Sequence, residues 1–149
     1  MTVRVEVVEE VGDELVDAVR RLIPQLSSSV AAPGPDWLER TVAFPGNRLL
    51  IARSAGAIVG MLTLVLFPIP TGMRARIEDV VVDEAARGQG IGTALTLEAL
   101  RLAEAGGART VDLTSRPGRE AANRLYQRLG FRQRDSRVYR HARPPVGDA

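Results

Sequence analysis

The chain has 149 residues, of which 45% are hydrophobic and 26% charged, with a net charge of +2. That is enough for one domain with a real core and too little for two nucleotide-binding domains. The composition excludes a disordered chain, and no run of about 18 apolar residues exists to span a membrane.

There is no cysteine and a single histidine, His141. Disulfides, thiolate nucleophiles and metal sites built on Cys or His are therefore excluded. The opening MTVRVEVVEE has no basic segment leading into an apolar one, so it does not read as a secretory signal. The expectation is a cytoplasmic, metal-free protein. All 20 basic residues are arginine, spread along the chain rather than run together. A nucleic-acid binder would show a dense basic stripe, so nucleic acid is not expected as a partner.

In chain order, residues 3–9 alternate Val with Arg and Glu, the pattern of a half-exposed strand. Asp13 is expected to cap a helix carrying Leu15, Val19, Leu22, Ile23 and Leu26, with Pro24 near its end. Residues 27–35 read as a loop and residues 36–44 as a second short helix. Two strands, 48–53 and 58–67, flank the turn at 54–57. A further turn is expected over 68–72 and a strand over 76–82. A helix over 90–105 is closed by Gly106 and Gly107. A strand follows at 110–114, then a helix at 119–129 stopped by Gly130. Residues 131–140 read as one bent strand or two short ones. Residues 1–142 form one domain on this reading, and 143–149 a frayed tail. The order predicts an α/β fold with a mixed sheet.

The informative stretch is VVVDEAARGQGIGT, residues 80–93. A strand runs through a short turn into Arg87, Gly88, Gln89, Gly90, Ile91, Gly92 and Thr93, and straight into a helix. Glycines let the backbone approach a ligand, and the helix start offers free N–H groups and a positive dipole end. A pyrophosphate is the natural occupant, with Arg87 adding a charge-assisted contact. A dinucleotide fingerprint fits poorly, because its third glycine position falls on Thr93. A P-loop fails for want of any lysine.

The run Arg87–Gly92 resembles the acetyl-CoA pyrophosphate motif of the GCN5-related N-acetyltransferase (GNAT) family. A second segment, Asn123 to Phe131 with Tyr126 and a Leu-Gly-Phe ending, is similar to that family's N-x-x-x-Y-x-x-x-G-F signature in loose form. The resemblance implies a mostly antiparallel sheet of six to seven strands, flanked by about four helices and splayed between the fourth and fifth strands. It implies acetyl-CoA as co-substrate, bound by Val80, Val81 and Val82, by residues 87–93 and by Asn123, with no metal. It implies an amine acceptor and allows a homodimer.

Glu78 and Asp79 interrupt an otherwise apolar strand, and such conflicts of pattern gather at functional sites. The plain alternative is an ion pair with a nearby arginine. Strict alternation would put Glu78 on one face with Val80 and Val82, and Asp79 on the other with Ile77 and Val81. By the resemblance Glu78 is the general base, with Asp79 second. Tyr126 is a core tyrosine or, by the resemblance, the acid that protonates the departing thiolate. Trp37 and Phe67 are candidate acceptor contacts beside their plainer role as core or wall. The expected function is acetyl transfer to a primary amine. A non-catalytic CoA-binding sensor of the same fold is the alternative.

Overall fold

In a computed structural model of the chain, which describes residues 2–144, a five-stranded sheet is covered on both faces by helices. The elements are β1 (Val3–Val7), α1 (Asp13–Leu26), α2 (Pro35–Ala43), β2 (Asn47–Ser54), β3 (Ala57–Ile69), β4 (Gly72–Val82), α3 (Ile91–Ala105), β5 (Val111–Asp112) and α4 (Glu120–Arg128). The strands lie in chain order. All neighbours are antiparallel except β4 and β5, which the α3 crossover makes parallel.

One face carries α1 and α2, packed over Leu49, Ile51, Met61 and Val81. The other carries α3, whose Ile91, Leu95 and Ala99 pack on Leu50, Leu62, Leu64, Ala75 and Ile77. Alternation along β2 and β3 feeds both cores, which is why these strands read as nearly continuous apolar runs. Gly60 lets α3 approach closely, since a Cβ there would meet Ile91 Cγ2 at 3.0 Å.

Several expectations need correction. The sheet has five strands rather than six to seven. Residues 131–140 form no strand. Val138 and Tyr139, the apolar residues that would anchor one, are 74% and 87% exposed, so no buried face fixes a register. The 110–114 strand shrinks to Val111 and Asp112. Asp13 is not the cap of α1; Gly12 holds that place, and Asp13 opens the helix where its charge favours the dipole. The turn expected over 68–72 is only Pro70 and Thr71, because β3 and β4 stay paired to Ile69 and Gly72. Most of the tail expected to fray, residues 145–149, lies outside the described residues.

Candidate active site

A groove of about 1460 Å³ opens beside the C-terminal half of β4. Its floor is Val80, Val81 and Val82, one wall is Arg87, Gly88 and the start of α3, and the opposite wall is residues 114–122 with Leu125 and Tyr126 of α4. The topology explains the opening. The β4–β5 ladder pairs Ala75 with Val111 and Arg76 with Asp112, and beyond it residues 114–119 form no strand.

At the first wall, Asp83 accepts a hydrogen bond from the Ala85 N–H at 3.2 Å and is held by Arg21 Nε at 3.2 Å. Gln25 Oε1 accepts from the Glu84 N–H at 2.9 Å. These contacts fix the turn that carries the chain from β4 into the glycines. Gly88 and Gly90 stand in the left-handed region, at φ 82° and 77°. Gly90 caps α3 and supplies no side-chain acceptor. The first N–H of α3 to meet a main-chain acceptor is that of Ala94, on the Gly90 carbonyl at 3.0 Å. Ile91, Gly92 and Thr93 line the groove, and their N–H groups, in the first turn of α3, precede the first intrahelical acceptor.

Six arginines line the same groove: Arg87, Arg116, Arg119, Arg124, Arg128 and Arg140. Among the described residues none of the six has an ion-pair partner. The one acid among the lining residues is Glu120. From Arg116 to Arg143 the chain carries nine arginines against two acids, Glu120 and Asp135. Five of these nine share one rim of the groove with Arg87. Such a rim favours a ligand with several phosphates.

Asn123 is not in the lining. Its Nδ2 donates to the Arg116 carbonyl at 3.0 Å, so it pins the loop that presents Arg116 and Arg119. Gln89 also turns away, accepting from Ser54 Oγ at 3.3 Å.

Tyr126 is half-buried in the groove wall, with its ring edge-on to Phe131 at 5.7 Å between centroids. Gly130, at φ 94°, turns the chain so that the Phe131 N–H reaches the Tyr126 carbonyl at 2.9 Å. This contact accounts for the Leu-Gly-Phe ending. Burial raises the phenol's pKa above its usual value, with Arg119 opposing it.

Glu78 and Asp79 sit at a β-bulge. Thr63 pairs with Glu78 and Met61 with Val81, so one residue of β3 faces two of β4. Asp79 is the displaced residue, at φ 52°. The bulge overturns the expected faces. Ile77 and Val80 both pack on the α3 side, and Val81 on the α1 side. Glu78 therefore shares the α1 face with Val81, not with Val80 and Val82. Its Oε2 accepts from Arg76 Nε at 2.9 Å, and its side chain is 47% exposed. The Asp79 carboxyl is partly enclosed. Burial first, then the Glu78 charge, raise its pKa above the usual carboxylate value.

Of the weaker candidates, Trp37 is exposed on α2 with the Arg40 guanidinium 4.9 Å over its ring. Phe67 lies in β3 opposite Arg74. Neither lines the groove. The residues that sequence reading missed are Asp83 with Arg21 and Gln25, and the rim arginines beyond Arg87. Arg21 lies 62 positions from Asp83 and Gln25 lies 59 from the Glu84 N–H it accepts from, so no local pattern marked them. The rim arginines did carry a signal, since five of the six lie within residues 116–140.

The Acetyltransferase (GNAT) family model matches residues 16–131. A glucosamine 6-phosphate N-acetyltransferase of Trypanosoma brucei brucei is 38% identical over 95 residues, 62% of this chain and 63% of that protein. The N-alpha-acetyltransferase RimI of Mycobacterium tuberculosis (strain ATCC 25618 / H37Rv) is 34% identical over 99 residues, 66% of this chain and 61% of that protein. The chain thus spans less than two thirds of the length of either relative. The crystal structure of a transcriptional regulator from Bacillus halodurans C-125 has a TM-score of 0.75 at 29% identity, covering 93% of this chain and 100% of its own.

Proposed function

This chain belongs to the GNAT acetyltransferase family, and from that premise we propose that it moves an acetyl group directly from acetyl-CoA to a primary amine. The observation that carries the reading is the groove itself. Donor N–H groups at the start of α3 face a rim of unpaired arginines, and the open flank of β4 runs from there past Tyr126. A nucleotide with several phosphates fits the charged end. A thin, amide-bearing arm fits the slot beside Val80–Val82, where main-chain groups beyond the β5 ladder need partners.

In this reading the splay between β4 and β5 is the slot for that arm. Residues 87–93 hold the pyrophosphate. Asn123 serves the same end by fixing Arg116 and Arg119. Glu78 takes a proton from the acceptor ammonium, directly or through water, and the free amine attacks the thioester carbonyl. A main-chain N–H of β4 next to the bulge stabilises the oxyanion. Tyr126, kept protonated by burial, gives its proton to the leaving sulfur. No covalent enzyme intermediate is required. Trp37, Phe67 and Asp79 border the acceptor.

The relatives do not fix the acceptor, since one is named for an amino-sugar phosphate and the other for an α-amine. The solved structure named as a transcriptional regulator favours a second reading, a CoA-binding sensor without turnover. One experiment separates these readings. Acetyl-CoA should raise the melting temperature more than NADH or ATP do, and a panel of amines should release free thiol from acetyl-CoA. Equal shifts for all three nucleotides overturn the CoA assignment. A CoA-specific shift without thiol release from any amine favours the sensor.

A further inference from the structure

Arg74 and Arg109 meet at the β3–β4 hairpin on one threonine. Arg74 Nη2 donates to Thr71 Oγ1 at 2.8 Å, and Arg109 Nη1 donates to the Thr71 carbonyl at 2.7 Å. Gly72 lies between them at φ 127°. A Cβ there would sit 2.8 Å from Arg109 Cδ and 3.6 Å from Arg74 Nη1, so glycine is what lets the two side chains close together. Among the described residues neither arginine has an ion pair. Arg74 Nη1 is buried without any hydrogen-bond partner. Two cations held on one threonine, with a donor left unmade, form an arrangement that an anion would complete.

The position of this pair matters. Up to the bulge, alternate residues of β4 share a face, so Arg74, Arg76 and Glu78 lie in one row. Phe67, Val65 and Thr63 stand opposite them on β3. The middle of the row is charge-balanced, because Arg76 is bonded to Glu78 and Asp112 sits across from it on β5. An anion is disfavoured there. It is favoured at the far end, where Arg74 and Arg109 have no ion pair among the described residues. Glu78 lies four positions along the strand from Arg74, about 13 Å.

We infer that the acceptor is an elongated primary amine with a carboxylate or phosphate about 13 Å from its nitrogen. Arg74 and Arg109 hold the anion while the amine meets Glu78. This inference rests on the acetyl-transfer reading. A short amino-sugar phosphate would place its anion at the balanced middle of the row. A peptide of about four residues, at 3.3–3.6 Å each, spans the row with an acidic residue at its end.

The test uses the full chain saturated with CoA, so that no turnover occurs. Two tetrapeptide amides, Ala-Ala-Ala-Glu and Ala-Ala-Ala-Gln, are titrated calorimetrically, with glucosamine 6-phosphate alongside. The acidic peptide should bind at least about tenfold more tightly than its isostere. Arg109→Gln, at an exposed position, and Arg74→Gln should each erase that preference while leaving CoA affinity unchanged. Equal affinities for the two peptides, binding of neither, a preference that survives both substitutions, or tighter Arg74-dependent binding of glucosamine 6-phosphate overturns the inference. Those results leave acetyl transfer standing, since that reading falls on the CoA shift and thiol release instead.

Discussion

Ile77 and Val80, three residues apart on β4, both pack against the α3 side of the sheet. In regular strand they would face opposite ways. The extra residue, Asp79, leaves Glu78 on the α1 face and brings Val80 back to the α3 side, while Val80–Val82 go on to line the groove. The bulge thus resets the alternation of the strand. Before it, Ala75 and Ile77 face α3 while Arg76 and Glu78 face the other way; after it, Val80 and Val82 face α3 and Val81 faces α1.

The backbone at Asp79 yields the first prediction. At φ 52° a β-branched side chain is strained by about 1–2 kcal/mol, so Asp79→Val should unfold at a clearly lower temperature than wild type. Asp79→Asn should behave in the opposite way. The carboxyl's pKa is raised in the folded chain, so its stability contribution is full below the ordinary value near about 4 and is lost as pH rises through the folded pKa. Asn tolerates the left-handed region and removes the unfavourable charge. Asp79→Asn should therefore melt at or above the wild-type temperature at pH 7, with the difference vanishing below about pH 4. Thermal unfolding from pH 3 to 8 measures this, and a lower melting temperature for Asp79→Asn at pH 7 would refute it.

Glu78→Gln is the corresponding test of chemistry. An ammonium acceptor cannot attack until it loses a proton, so the variant should lose about 10²-fold in kcat/KM at neutral pH. The loss should shrink as pH approaches the amine's own pKa, because solvent then supplies free amine. A defect of constant size across pH would make Glu78 a substrate-positioning group rather than a base.

Much of this fold was legible because its signals are local. The glycines at 88 and 90 mark the loop through their backbone requirement, and Gly106 and Gly107 mark where α3 ends. The face of Glu78 was not legible, because a bulge adds a residue without leaving a mark in the hydrophobic pattern. The C-terminal strands were over-read for a related reason. Val138 and Tyr139 have strand propensity, but propensity without a surface to bury against does not decide pairing. The arginine rim was missed although five of its six members lie within residues 116–140, because a near-neutral balance over the whole chain hides that local excess.

Tyr126→Phe should keep the CoA-induced thermal shift and lower kcat by about tenfold or more, the modest end of general-acid effects. Burial holds the phenol's pKa above about 10. Any loss of activity between pH 8 and 9 should therefore persist unchanged in the variant. A pH–rate profile checks both parts. An alkaline limb in that range that disappears in Tyr126→Phe would mean that the phenol ionises where burial says it should not.

Gly90 and Gly92 separate what the fold needs from what the ligand needs. Gly90 stands at φ 77°, and a Cβ added to it would meet nothing within 4 Å. A side chain there strains the backbone and projects into open space at the start of α3. Gly92 is different. It lies within α3, and a Cβ would meet only Leu125 Cδ1 at 3.5 Å and Val82 Cγ2 at 3.9 Å, ordinary contacts. Ala favours helix over Gly by about 1 kcal/mol, so Gly92→Ala should raise the melting temperature of the free protein. If the N–H groups of α3 hold a pyrophosphate, the added methyl narrows its approach, and CoA affinity should fall by about tenfold or more. Gly90→Val should abolish most of the CoA-induced shift and also lower the starting melting temperature. Calorimetric CoA titration beside thermal unfolding gives both quantities for each variant. A Gly92→Ala protein that is more stable and still binds CoA at wild-type affinity would take the start of α3 out of the site.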